Sequence, residues 1–256
     1  MLLNEGLLTR LGFCEYLEDG GFVVGVEWLV ALVLTLIVAY LLGSVNSGII
    51  VSRLVYHDDV RKYGSGNAGL TNVMRTYGKK AAGLTLLGDT LKMVLSLLLA
   101  GLLFGFDYHF GMSMNFVMYL VGLFCIIGHI KPVYYHFKGG KGVLSFATLA
   151  LILTPLQFLL LFLVFVLLVW MTKYISLGSI VCAAFYPLFL QGWMQAISGG
   201  EAYNGYILLV SLLAAAILII CHRANIKRLL NHTENKFSFH KHEKKALPED
   251  EKDCTK

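Results

Sequence analysis

Apolar residues in this chain come in blocks long enough to cross a bilayer, and this constrains the fold more than any other feature. A helix spanning the hydrocarbon needs about 20 predominantly apolar residues. Candidate spans are 22–42, 81–106, 116–130, 174–194 and 203–221. A further apolar stretch, 142–171, is long for one span and short for two. In lipid a chain must satisfy its own backbone polar groups, so the expectation is an all-α polytopic membrane protein. Composition agrees: 57% of the 256 residues are hydrophobic and 14% are charged, whereas soluble domains carry about 25% charged residues. These figures exclude an ordinary soluble enzyme, a disordered chain and a nucleic-acid-binding module.

Basic residues set the topology through the positive-inside rule. Arg53, Arg61, Lys62, Arg75, Lys79 and Lys80 lie between the first two spans, and Lys131, Lys138 and Lys141 follow the third. Arg223, Lys227, Arg228 and six later lysines close the chain. Segments 107–115 and 195–204 carry neither lysine nor arginine. Placing every basic segment in the cytoplasm puts the N-terminus outside and the C-terminus inside. The number of crossings between Lys141 and Lys173 is then even. Pro155 breaks that stretch into 143–153 and 156–171, giving about seven membrane helices. A five-crossing arrangement, with 142–171 as a re-entrant hairpin, has the same parity.

Residues 1–21 contain Arg10 against Glu5, Glu15, Glu18 and Asp19, the reverse of a signal peptide's bias. They read as an extension outside the membrane core. The membrane domain covers 22–235, and 236–256 reads as a disordered tail. The five cysteines include no CxxC pair. They read as small buried hydrophobes, with no metal site expected.

Three polar motifs stand at the cytoplasmic ends of the helices. The first starts at Gly43-Ser44-Val45-Asn46-Ser47-Gly48 and leads to a stretch from Asp59 to Arg75 that contains Gly64, Ser65, Gly66, Asn67, Thr71 and Asn72. Its glycines let the backbone turn and bring N–H groups near a ligand. Arg75 adds a planar fork suited to phosphate. The plain alternative is a polar loop with turn glycines. The second motif is Gly128-His129-Ile130-Lys131-Pro132, then Gly139-Gly140-Lys141-Gly142 opening a helix. Such a helix N-terminus is a natural anion site, to which Lys141 adds an ammonium. Walker A spacing is absent, so nucleotide is not expected. His129 either orients the glycine loop or contacts substrate; the alternative for the whole motif is a basic turn touching anionic headgroups. The third motif contains His222 and Asn225 on one helical face, with Glu234 following. Arg223, Lys227 and Arg228 read as snorkelling anchors at the helix end. Within the second span Asp89 and Lys92 are spaced i,i+3, which permits a structural ion pair; a direct ligand role is the alternative.

Taken together, GSGNAGLTNVMRTYGKK, LLGDTLK, GHIKPVYYHFKGGKG and HRANIKRLL followed by TENK resemble the bacterial acyl-phosphate-dependent glycerol-3-phosphate acyltransferases of the PlsY type. The resemblance covers about 39–236. It implies acyl transfer from acyl phosphate to the sn-1 hydroxyl of glycerol 3-phosphate, giving lysophosphatidic acid and phosphate, the first committed step of phospholipid synthesis. It also implies a bacterial cytoplasmic membrane with the site facing the cytoplasm, membrane lipid as surroundings, no cofactor and no obligate protein partner. By position, Ser65 and Arg75 match functional residues of the first family motif, Lys141 the phosphate-binding lysine of the second, and His222 and Asn225 the active-site pair of the third. Glu234 matches a supporting position. Leu70, Lys131, the Asn46-Ser47 pair and the Leu144-Ser145 pair depart from the family pattern without removing any of these groups. The HxxxxD signature of other glycerophosphate acyltransferases is absent. The rival class is a transporter or channel for an organic phosphate, which would use the same anion-binding groups.

Overall fold

The computed structural model describes residues 6–11, 14–16, 22–106, 108–109, 112–113, 116–198 and 205–237. Its body is built from helices. After the short α1 (Leu7–Arg10), strands β1 (Cys14–Tyr16) and β2 (Phe22–Val24) form a small antiparallel pair. Helix α2 (Val26–Ser44) is followed by α3 (Ser47–Tyr56), α4 (Leu70–Tyr77) and α5 (Lys79–Phe104). A second antiparallel pair, β3 (Tyr108–His109) and β4 (Met112–Ser113), precedes α6 (Phe116–Ile130). Then come α7 (Val143–Leu153), α8 (Pro155–Thr172), α9 (Ile175–Ser198), α10 (Gly205–Cys221) and α11 (Arg223–Leu230). The first span starts at Val26 rather than at 22. Residues 22–24 form β2 instead, paired with β1. Most of the extension read at 1–21, and 238–256 of the expected tail, lie outside the described residues.

Among the described residues, five helical stretches are long and apolar enough to cross a membrane. Helices α10 and α11, bent by 56° at their junction, form a further candidate as a pair. The exposed face of α8 is apolar throughout, with Leu159, Leu163, Leu167 and Trp170 pointing outward, as a lipid-facing helix requires. Small residues let α2 and α6 approach closely. A Cβ on Gly43 would overlap the Cys125 carbonyl, and one on Gly128 would overlap that of Tyr40.

Ring contacts mark one end of the bundle, where Trp28 packs on Phe104 and Phe116 on Tyr206. Hydrogen bonds mark the opposite end. Tyr40 Oη donates to the Lys131 carbonyl at 2.8 Å, and the Phe237 N–H donates to the Lys173 carbonyl at 2.7 Å. All three polar motifs lie at this second end. Helix α7 leaves it and α8 returns to it. Its 11 residues rise about 16 Å, roughly half the hydrocarbon thickness. Thr154 ends α7 and pairs with the Tyr186 hydroxyl at the middle of α9, 3.1 Å away. Pro155 then opens α8, where its missing N–H costs nothing.

Candidate active site

The first motif is a loop folded around one side chain. Asn72 is 2% exposed, and its amide donates to the carbonyls of Val60, Tyr63 and Asn67 at 3.2, 2.9 and 2.9 Å. Its Oδ1 accepts the Ser65 N–H at 3.1 Å. Gly64 and Gly66 take left-handed φ values of 62° and 67°. A Cβ on Gly64 would strike Asn72 Oδ1, so glycine there makes room for the organiser. Asn67 Oδ1 accepts from the Gly69 N–H at 2.9 Å and turns the chain into α4. Asn72 and Asn67 thus shape the loop, while Ser65, Thr71 and Arg75 line the cavity beside it. Arg75 is half-buried and makes no hydrogen bond or ion pair with the described residues. Burial disfavours its charge, and the Glu234 carboxylate counters this.

A clamp joins this loop to the second motif. Arg61 grips both carboxylate oxygens of Asp59 at 2.9 and 2.7 Å and donates to the Lys138 carbonyl at 2.9 Å. These contacts hold the Asp59 carboxyl well below the usual range, against the opposing effect of its burial. The glycines then fold back on the end of α6. The Gly139 and Gly140 N–H groups donate to the carbonyls of Ile130 and His129. A Cβ on Gly139 would overlap the His129 carbonyl, and one on Gly140 would overlap His129 Nε2. Gly142, at φ 82°, starts α7, whose first N–H groups have no side-chain cap.

The third motif supplies the opposite wall. Lys141 Nζ donates to Asn225 Oδ1. The Asn225 amide donates to Glu234 Oε1 at 2.8 Å, and the Ser176 hydroxyl donates to the same oxygen at 2.9 Å. Arg228 Nε holds Glu234 Oε2 at 2.8 Å. Burial works against the Glu234 charge, but these hydrogen bonds keep its carboxyl below the ordinary range. Lys141 is pushed down to about 8, by burial first and by Arg228 next. His222 is 3% exposed, with Nδ1 at 2.7 Å from the Leu218 carbonyl. A carbonyl can only accept, so Nδ1 carries the hydrogen and Nε2 keeps its lone pair.

Behind the glycine loop lies a second buried cluster. Lys92 Nζ sits 2.9 Å from Asp89 Oδ1, 2.9 Å from His129 Nδ1, and 3.0 and 2.9 Å from the carbonyls of Gly43 and Val45. Asp89 Oδ1 also accepts the Ser47 N–H at 3.3 Å. Lys92 therefore ties the break between α2 and α3 to α5 and α6.

These pieces surround a cavity of about 600 Å³. Its polar end is lined by Ser65, Asn67, Arg75, Lys141, His222 and Asn225, with Asp89, His129 and Glu234 also on its wall. Its apolar end runs between α7, α8 and α9 along Phe146, Leu151, Phe158, Leu161, Phe162 and Tyr186. Leu151 and Phe162, on its wall, are also exposed. Gly64, Gly66, Gly139, Gly140 and Lys92 stand behind the lining and shape it. Reading from sequence missed Ser176, which has no local signal because its partner Glu234 is distant in the chain. It also took Arg228 for an anchor, although its i,i+3 spacing from Asn225 was visible.

Known proteins resemble this chain over most of its length. The family model described as glycerol-3-phosphate acyltransferase matches residues 33–232. Curated relatives named glycerol-3-phosphate acyltransferase include those of Syntrophotalea carbinolica, 42% identical over 79% of this chain and 95% of that protein, and Finegoldia magna, 39% identical over 78% and 93%. The Bacillus subtilis relative is 37% identical over 80% of this chain and 97% of its own. A crystal structure of PlsY, an integral membrane glycerol 3-phosphate acyltransferase in its glycerol 3-phosphate form, superposes with a TM-score of 0.69 at 35% identity, covering 81% of this chain and 96% of that one. The chain belongs to the glycerol-3-phosphate acyltransferase family.

Proposed function

We propose that this membrane protein transfers an acyl group from acyl phosphate to the sn-1 hydroxyl of glycerol 3-phosphate, releasing lysophosphatidic acid and phosphate. One observation carries the reading. A single cavity joins a cationic, donor-rich end to an apolar arm whose wall includes the exposed residues Leu151 and Phe162. That shape suits a phosphate at one end and an acyl chain at the other.

Acyl phosphate is already an activated mixed anhydride, so the protein aligns and stabilises rather than activates. Arg75, Lys141 and the first N–H groups of α7 hold phosphate charge. Ser65, across the same end, helps to seat the substrates. Asn225 fixes the Lys141 ammonium, and Glu234 with Ser176 and Arg228 fixes Asn225. His222 Nε2 accepts a hydrogen bond from the sn-2 hydroxyl of glycerol 3-phosphate and so orients the sn-1 oxygen toward the acyl carbon, leaving the sn-1 proton free to be passed on. The new ester C–O bond forms as the bond to phosphate breaks. The departing phosphate oxygen, growing more basic as it leaves, takes the hydroxyl proton. Asn67, Asn72 and the paired glycines shape the loops, and Asp89 and Lys92 support them.

The positive-inside bias places the motif-bearing end in the cytoplasm, with the first span entering from outside and the C-terminal segment inside. The α7–α8 hairpin, which leaves and regains that end, supports the even parity expected between Lys141 and Lys173. The test uses purified protein, acyl phosphate and labelled glycerol 3-phosphate. Lysophosphatidic acid must form, and formation must be lost in Lys141→Ala and Arg75→Ala. Movement of the phosphate ester across a vesicle membrane with no lipid product would overturn the reading.

A further inference from the structure

The buried cluster behind the glycine loop has a consequence for hydrogen placement. An ammonium has hydrogens to give and no lone pair to receive. Lys92 Nζ lies 2.9 Å from His129 Nδ1, so that nitrogen presents its lone pair to the ammonium. In a neutral ring the hydrogen then belongs to Nε2. A doubly protonated ring would set an N–H against the ammonium. Asp89 does not offset this directly, since its Oδ2 is 3.9 Å from Nδ1, beyond hydrogen-bond range. Asp89 acts instead on Lys92, which it holds at 2.9 Å.

Nε2 is the atom that meets the glycine loop. A Cβ on Gly140 would overlap it, and the Gly140 N–H is bound to the His129 carbonyl. His129 is 3% exposed yet lies on the cavity wall close to Lys141 in the chain's second motif. Among the described residues Nε2 has no hydrogen-bond partner.

We propose that Lys92 locks His129 as its Nε2–H tautomer, and that this N–H donates to a substrate phosphate held at the Gly139–Gly142 loop. His129 is then a binding residue, and Lys92 and Asp89 are positioning residues that act through it. The proposal rests on the phosphate-binding reading of this loop given above. It adds a neutral donor to the cationic Arg75 and Lys141, from a chain that begins at the break between α2 and α3.

The test uses the full chain in lipid nanodiscs with 15N-labelled histidine. His129 resonances are assigned by their loss in His129→Gln. The wild-type spectrum should show a protonated Nε2 and a bare Nδ1. The Nε2 resonance should move on titration with inorganic phosphate and with glycerol 3-phosphate. A protonated Nδ1, or an Nε2 resonance that stays fixed at saturating ligand, overturns the proposal, and neither measurement depends on turnover. Lys92→Met should mix the two tautomers; an unchanged Nε2–H tautomer in a folded variant overturns the role of Lys92. Kinetics identify which phosphate is held. His129→Leu should raise KM about 10- to 100-fold for either glycerol 3-phosphate or acyl phosphate, as expected for losing a hydrogen bond to a charged group. His129→Gln, which keeps an N–H near the same place, should recover part of that loss. Unchanged KM for both substrates in His129→Leu overturns the proposal. Failure of the wild-type protein to make lysophosphatidic acid, with the phosphate-induced shift intact, would sink the acyltransfer reading and leave the phosphate contact standing.

Discussion

Two lysines serve the glycine loop, the buried Lys92 from behind it and the half-buried Lys141 within it, and they are satisfied very differently. Lys92 has four acceptors of this chain within 3.0 Å, more than its three hydrogens can serve. Among the described residues Lys141 has one hydrogen-bond acceptor, Asn225, and it stands on the wall of the cavity. The first ammonium is saturated by protein and belongs to the framework. The second is held by one partner and keeps hydrogens for a ligand. The number of protein acceptors around each cation therefore separates the structural lysine from the ligand-binding one, in step with their burial, since Lys92 is buried and Lys141 half-buried.

The sharpest way to break this comparison is to remove each cation in turn. Lys92→Met leaves Asp89 charged and unpaired in the bundle, which should destabilise the protein by about 3–5 kcal/mol. Thermal unfolding in detergent measures it, and adding Asp89→Leu should restore much of the loss. A Lys92→Met protein as stable as wild type would contradict a framework role. Lys141→Ala should do the reverse. Its melting temperature should stay near that of wild type, while lysophosphatidic acid formation falls about 100-fold or more.

His222→Ala sharpens the catalytic side. Because the leaving phosphate takes the proton, single-turnover transfer should fall about 10- to 100-fold and stay above background. Total loss with both substrates still bound would show that His222 is an indispensable base. The two trends with pH come next. Lys141 titrates near 8, below an ordinary lysine, and phosphate needs its charged form. As pH rises through about 8, kcat/KM should fall by up to about tenfold per unit. Stability should move the other way. Between about 8 and the ordinary lysine value the unfolded chain binds more protons at this site than the folded one, so this group makes the fold more stable as pH rises. Smallest is Ser176→Ala, which removes one of the hydrogen bonds on Glu234. It should cost about 1 kcal/mol in stability with a modest rise in KM. No measurable change in either would show that Asn225 and Arg228 hold Glu234 without help.

Much of this was legible before any coordinates. Apolar blocks located the helices, and Pro155 marked the break that opens α8. Asp89 and Lys92, one helical turn apart, meet at 2.9 Å because i,i+3 residues share a helix face. The cavity end was drawn from motifs read together, with Ser65, Arg75, Lys141, His222 and Asn225 all on its wall. The roles within each motif were less legible. Asn72 looks like Ser65 as a short polar side chain, but its amide is fully engaged with the loop's own backbone. Arg61 looks like a topology marker, but it ties the first loop to the second across 77 residues of chain.

By itself, then, the sequence determined that this chain lives in a bilayer, where it turns, and which polar residues gather at one end. Those properties follow from local pattern: hydropathy over a span's length, helical spacing, and the backbone demands of glycine and proline. Only the tertiary structure decided which lysine is available to a ligand, which nitrogen of His129 and of His222 carries its hydrogen, and that Ser176 belongs to the site. His222 takes its acceptor from the preceding turn of its own helix, but for His129, Lys141 and Ser176 the partner comes from a distant part of the chain, at hydrogen-bond distance. Packing of the helices, not the neighbouring sequence, sets that distance.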